Sequence, residues 1–259
     1  MALRDAIDGL AVGDALGVPY EFLPRGSFRC EGMAAYGSHQ QQKGTWSDDT
    51  SLTLATCASI KETGCIDIDD IRRRFTAWYD SGEYAIDHNV FDVGGTTARA
   101  ILNGVGETGD RSNGNGSLMR IAPLAYTDAD DDEIRAVSAI THGHTISTDA
   151  CVSYVHLLRS LRNDPQAVLS ELREAETASS DEIRSGGYVV DTYRAALWCL
   201  ATTGSYRDCV LLAVNLGDDT DTTAAVAGAL AGEYYGFEAI PTEWIEALRG
   251  IDIIENCIF

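Results

Sequence analysis

Apolar residues recur along most of the chain at the spacing of one helical face. Leu3, Ala6, Ile7 and Leu10 follow it, as do Ile68, Ile71, Phe75 and Trp78. The same pattern runs through Ile134, Val137 and Ile140, and through Tyr154, Leu157, Leu158 and Leu161. Helices are also predicted over 52–60, 189–200, 206–214 and 224–234. Asp164-Pro165 adds a helix start, with Asp as N-cap and Pro in the first position. Strict alternation is nearly absent, and glycines at 64, 82, 109, 143, 204, 217 and 236 punctuate the joints. The expectation is an all-α, single-domain bundle of about ten or more helices spanning residues 1–259. No Pro-rich linker or repeat of solenoid length divides it.

Composition narrows the function classes. At 259 residues and 45% apolar the chain can bury a substantial core. No apolar run is long enough to cross a bilayer. Forty acids against nineteen bases give a net charge of -21, which repels nucleic-acid backbones and anionic membranes. Only Lys43 and Lys61 are lysines, and Asp outnumbers Glu by 25 to 15. A salt-adapted origin or GC-rich coding would each produce that bias. The seven cysteines are odd in number and form no C-x-x-C pair, which argues against a disulfide framework or a zinc knuckle. With Asp5, Asp8 and Asp14 interrupting its first apolar stretch, the N-terminus reads as no signal peptide, and a cytoplasmic monomer is expected.

Two acidic clusters break the amphipathic pattern. Gly44-Thr45-Trp46-Ser47-Asp48-Asp49-Thr50 opens one helix, and Gly217-Asp218-Asp219-Thr220-Asp221-Thr222-Thr223 opens another. Taken singly, each reads equally well as ordinary N-capping. Together, Asp48, Asp49, Asp219 and Asp221 sum to -4, matching two divalent cations, and Ser47, Thr50 and Thr222 add neutral oxygens. Such an oxygen-only supply suits Mg²⁺ or Mn²⁺. Spacing does not show that the clusters meet. The second cluster also fits the D-x-D-x-T nucleophile motif of haloacid-dehalogenase-type phosphatases, after a strand-like run over 210–216. That reading lacks a downstream lysine and room for the remaining sheet. A third segment, Asn113-Gly114-Asn115-Gly116-Ser117-Leu118-Met119-Arg120, suits a pyrophosphate at a helix start if it lies beside the acids, and is otherwise a turn.

Five segments in order resemble the ADP-ribosylglycohydrolase family: GLAVGDALGVPYEF, GTWSDDTSLTLA, NGNGSLMRIAPLA, GGYVVDTYRAALW and AVNLGDDTDTTAAVAGALAGEYYG. The resemblance implies an all-α fold around a binuclear Mg²⁺ or Mn²⁺ site held by Ser47, Asp48, Asp49, Asp219, Asp221 and Thr222. Ser47 stands where the family usually has Thr, and Asp218 where it has a second Gly; the extra charge of Asp218 is expected to point away. Asn115, Gly116 and Ser117 align with a phosphate-contacting loop. Thr141-His142 aligns with a substrate-contacting element, and Tyr188 falls near the adenine end.

As catalytic acids the resemblance offers Glu21, in a loop that serine-directed members use as a gate, and Asp92, where arginine-directed members place an acid near the departing guanidinium. The plainer readings are a solvated loop acid for Glu21 and a helix cap for Asp92. The implied activity is metal-dependent release of ADP-ribose from a modified protein, with ADP-ribosyl-arginine as the preferred acceptor. A serine-linked or other O-linked acceptor, or a silent ADP-ribose-binding module, are the alternatives. His39 and His156 lack supporting context, His142 and His144 form only a weak H-x-H signal, and Trp46 is expected to pack under the first acidic motif.

Overall fold

A computed structural model describes residues 3–259, with backbone alone at residues 166, 167, 169 and 171. Among them lie twelve α-helices and no named strand. They are α1 (Leu3–Gly17), α2 (Asp48–Thr63), α3 (Ile68–Ser81), α4 (Gly95–Asn103), α5 (Asp131–Ser138), α6 (Thr145–Asn163), α7 (Leu169–Glu176), α8 (Val189–Thr202), α9 (Tyr206–Asn215), α10 (Thr220–Tyr235), α11 (Thr242–Ala247) and α12 (Ile251–Cys257). Every strong periodic run is a helix, and the 210–216 run belongs mainly to α9, which removes the strand that the phosphatase reading needed. Asp164-Pro165 does open a helical stretch, but a 3₁₀ turn over Pro165–Val168 precedes α7. One buried apolar cluster draws on residues from α1 through α12. Among the described residues no helix is long and apolar enough to cross a membrane.

The centre of the bundle is the pair α1 and α10, and glycine makes it possible. The two helices run antiparallel with their backbones nearly touching. A Cβ on Gly9 would sit 2.4 Å from the carbonyl oxygen of Gly228, one on Gly13 2.1 Å from that of Ala224, and one on Gly232 2.1 Å from that of Asp5. At the far end a Cβ on Gly17 would fall 2.3 Å from the Cα of Asp221. No other residue allows this approach. Both helices are therefore buried almost all round, which accounts for the weakly amphipathic sequence of α10.

The same pair sets the first turn of α10. The Thr220 hydroxyl donates to the Gly17 carbonyl at 2.8 Å. The preceding loop turns through Gly217 at φ +81°, where a Cβ would lie 2.4 Å from the Arg25 nitrogen. Two backbone hydrogen bonds, Phe22 N–H to the Asp218 carbonyl at 2.7 Å and Asp218 N–H to the Leu23 carbonyl at 2.9 Å, tie that loop to the segment after α1.

Helix α2 is anchored by capping. Ser47 is its N-cap, and Asp14 of α1 accepts from the N–H groups of Ser47 and Thr50 and from the Thr50 hydroxyl at 2.6 Å. A carboxylate at a helix start satisfies orphan donors and complements the dipole. Gly64 and Gly82 end α2 and α3 in left-handed caps at φ +70° and +69°.

If the α1–α10 contact is set by glycine, Gly13→Ala costs about 3 kcal/mol or more, because rigid backbone cannot yield to the methyl. Gly204→Ala, with open space at its Cβ and no positive φ, stays within about 0.5 kcal/mol of the parent. Urea unfolding of both variants measures the contrast.

Candidate metal and substrate site

Asp14, Asp49 and Asp221 come from α1, α2 and α10, and each offers a carboxylate oxygen within 4.8 Å of the other two. Glu21, His39, Asp92 and Asp221 form a second such group. The two acidic motifs therefore meet, sharing Asp221. A cavity of 220 Å³ opens beside them. Glu21, Asp48, Asp92, Asn115, Gly116, His142, Asp219 and Thr222 line it, with the 94–97 turn at the start of α4 and Gly187.

The hydrogen bonds divide these acids into two kinds. Asp14 is fully engaged in capping α2. Asp49 uses Oδ2 to accept from the Ser47 hydroxyl at 3.0 Å and the Thr222 hydroxyl at 3.3 Å, while its buried Oδ1 has no partner. Asp221 Oδ1 accepts from the Thr222 N–H at 2.9 Å, and its buried Oδ2 has none. Asp219 Oδ2 accepts from the Asn115 amide at 2.8 Å, and its buried Oδ1 has none. Buried carboxylate oxygens without donors are costly. Converging oxygens of this kind fit a hard divalent cation, so the residues present can hold a metal ion.

Electrostatics point the same way. Burial, reinforced by the neighbouring acids, raises Asp48, Asp49 and Asp221 well above the ordinary carboxylate range, and burial also raises Asp219. Burial brings Asp14 up to about 6, even against the three donors it accepts from. Glu21 rises to about 8 through burial and the Asp219 charge, and Asp92 to about 7 through burial and the Glu21 charge. Glu21 is not a solvated loop acid: it is buried and pairs with His39. Nor is Asp92 a helix cap, since the N-cap of α4 is Gly94. Asp92 turns at φ +58° and sits 3.8 Å from His39.

The expected substrate residues separate by depth. Asn115 and Gly116 line the cavity, and the Asn115 amide is engaged by Asp219 and, at 3.0 Å, by Thr192. A Cβ on Gly116 would lie 2.9 Å from the His142 ring. Ser117 is fully buried, its hydroxyl directed to Ser138 and Cys151 rather than to the cavity. His142 is buried, with Nδ1 2.8 Å from the Thr141 hydroxyl. Burial and the Arg120 charge push it down to about 3, so it is neutral. Tyr188, half exposed, is the N-cap of α8 and bridges to Gly114 through the backbone. Asp218 is exposed and does not line the cavity. Trp46 is buried, its ring against Gly250. His144 caps α6 and His156 pairs with Asp131, both outside the cavity.

Two residues enter the site without having been singled out for it. His39 was expected to be without context, yet it contacts Glu21 and lies between Phe22 and Phe91, with ring centroids 5.7 and 5.2 Å away. Its only sequence signal was a histidine in a glycine- and glutamine-rich loop. Asp14 had a clearer one, the lone acid in the apolar and glycine run over 9–18.

The family model for ADP-ribosylglycohydrolase matches residues 2–258. The chain belongs to the ADP-ribosylglycohydrolase family. It is 34% identical to an ADP-ribosylarginine hydrolase of Serratia proteamaculans, over 98% of this chain and 76% of that protein. It is 32% identical to the ADP-ribosyl-[dinitrogen reductase] glycohydrolase of Rhodospirillum rubrum, over 93% and 87%. A solved structure described as an ADP-ribosylglycohydrolase-related protein complex superposes with a TM-score of 0.83 at 32% identity, covering 98% of this chain and 95% of that one. Members of this family hydrolyse glycosyl bonds, and the chain is a hydrolase of that class.

The raised carboxylates carry a sign for stability. Unfolded carboxylates titrate near pH 4. Between about pH 4 and pH 8 the metal-free folded state therefore holds protons that the unfolded chain has released. Stability in EDTA thus falls as pH rises through that window. A divalent cation removes the penalty, so Mg²⁺ is expected to raise Tm more at pH 8 than at pH 5, and Asp221→Asn to shrink the difference. Thermal melts in EDTA and in Mg²⁺ at the two pH values test this; equal Mg²⁺ effects would contradict it.

Proposed function

We propose that this ADP-ribosylglycohydrolase removes single ADP-ribose units from arginine side chains of modified proteins and that it requires two divalent cations, Mg²⁺ or Mn²⁺. The observation carrying the proposal is the meeting of the two acidic motifs: carboxylate oxygens of Asp49 and Asp221 lie within 4.8 Å of each other, both residues and Asp219 keep an oxygen without a partner, and the adjoining cavity is lined by the paired acids Glu21 and Asp92. The arginine acceptor is supported by two relatives named ADP-ribosylarginine hydrolases, at 34% and 35% identity. Asp92 supports it too, since a carboxylate at the cavity wall suits a departing cationic guanidine.

Asp48, Asp49, Asp219 and Asp221 would hold the cations, with the Ser47 and Thr222 hydroxyls beside them. When bound, such ions supply charge neutralisation and Lewis-acid polarisation of ribose hydroxyls. The chain's own residues do the rest. The Asn115–Gly116 turn offers a closely approached backbone to a phosphate, and His142 faces the same cavity. Glu21 and Asp92 stand close enough to share a proton near neutral pH, so one carboxyl can deliver a proton to the guanidine nitrogen as the C1″–N bond breaks. The other, ionised, can take one from the water whose oxygen bonds to C1″. The crowded carboxylates also stabilise the positive charge that develops on the ribose ring.

A hydrolysis assay with ADP-ribosyl-arginine and ADP-ribosyl-serine peptides, in Mn²⁺ or Mg²⁺ and in EDTA, tests the reading. Metal-dependent release of ADP-ribose from the arginine peptide is expected. Asp48→Ala abolishes it without loss of helix content, and Asp92→Asn lowers kcat by about 10²–10⁴-fold. Release from the serine peptide alone would replace the acceptor. Full activity of Asp48→Ala would remove the metal requirement.

A further inference from the structure

Arg120 is an anomaly in a chain this acidic. It is fully buried, and among the described residues no carboxylate pairs with it. Its guanidinium stacks 4.5 Å over the Phe75 ring and donates to the Val137 carbonyl at 3.3 Å and to the Thr141 hydroxyl at 2.8 Å, while its Nε has no partner. An uncompensated buried cation is expensive, and nothing in the packing of α3 and α5 demands one. Its one strong hydrogen bond leads to the cavity, because Thr141 is also 2.8 Å from Nδ1 of His142.

Proton counting settles the direction of that short chain. A guanidinium only donates, so Thr141 Oγ1 must accept from Arg120. Thr141 is fully buried, and its other hydrogen-bond partner is His142 Nδ1. Were Nδ1 to carry the proton, the Thr141 hydroxyl hydrogen would be buried with no acceptor, a loss of about 1–3 kcal/mol. The hydroxyl therefore donates to Nδ1, and the imidazole proton resides on Nε2. Among the described residues that nitrogen has no hydrogen-bond partner, and it faces the cavity, 3.4 Å from where a Cβ on Gly114 or Gly116 would stand.

We propose that Arg120 is a positioning residue which, through Thr141, locks His142 as the neutral Nε2–H tautomer, an uncharged donor to a substrate oxygen in the cavity. The substrate half rests on the function proposed above; the tautomer half does not. The lock has a purpose in this surrounding. Asp48, Asp92 and Asp219 line the same cavity, and the Glu107 carboxylate near His142 is held by Arg99 at 2.7 and 2.8 Å. A free imidazole amid so many acids would tend to take a second proton or offer its lone pair, and a lone pair repels a ribose or phosphate oxygen. The Arg120 charge and the committed Nδ1 lone pair oppose both.

Long-range ¹H–¹⁵N correlation spectra of the histidine-labelled full chain decide the tautomer, with the His142 signal assigned by its loss in His142→Gln. The expected pattern is Nε2 protonated and Nδ1 bare, unchanged from pH 5 to pH 8. A protonated Nδ1, or ordinary titration near pH 6.5, overturns the proposal. Thr141→Val should release the ring into a mixture of tautomers and weaken ADP-ribose binding by about tenfold, one lost hydrogen bond. Thr141→Ser should restore both. If the valine variant does not fold, the parent spectrum still decides. A locked tautomer in a protein that binds no ADP-ribose would overturn the substrate half and, with it, the functional reading; ADP-ribose binding with the wrong tautomer would overturn the lock alone.

Discussion

The close approach of α1 to α10 is the constraint from which the site follows. Glycines at 9, 13, 17, 228 and 232 bring the two backbones nearly into contact, so neither helix can slide or rotate without a backbone collision. One end of that pair abuts the first turn of α10, which carries Asp219, Asp221 and Thr222. From the same end α1 extends Asp14 onto the N-terminus of α2, which carries Ser47, Asp48 and Asp49. Two acidic segments about 170 residues apart in sequence are thereby held together by one rigid strut. Asp14 does this by hydrogen bonding alone, and so is structural even though it lies among the acids.

Such a site is a stored electrostatic strain. Seven carboxylates, Asp14, Glu21, Asp48, Asp49, Asp92, Asp219 and Asp221, crowd a small region, and three of their oxygens are sealed without donors. Protons or cations must relieve it. The buried core that surrounds the cluster supplies the stability to hold it in place, as in other proteins that concentrate unfavourable groups at functional sites. Elsewhere on the cavity wall the charge logic reverses. The Arg120–Thr141–His142 chain presents a neutral donor there, and the Asn115–Gly116 turn exposes backbone, both suited to an electron-rich ligand.

Much of this was legible in sequence. Helices with strong one-face periodicity were placed correctly because burial on one side is written into the spacing. Both acidic motifs stood out because several carboxylates at a helix start exceed what capping needs. Short α4, α11 and α12 were not foreseen, since six to nine residues carry too few turns for a pattern. What periodicity cannot show is proximity. That Glu21 and Asp92 meet at His39 depends on loops whose turns use positive-φ residues at Phe22, Tyr36 and Asp92, and no spacing rule reports where such loops fold back. Ser117 shows the same gap from the other side: the motif groups it with Asn115 and Gly116, but spacing does not report that its side chain is buried one residue past Gly116.

Diffraction from crystals grown in Mn²⁺, with anomalous scattering used to locate the ions, tests the heart of this description most directly. The proposed site predicts two manganese peaks at the cavity, within bonding distance of Asp48, Asp49, Asp219 and Asp221, with the now-unpartnered oxygens of Asp49, Asp219 and Asp221 as ligands. Manganese absent from the cavity at saturating concentration, or bound only at surface carboxylates, would contradict it.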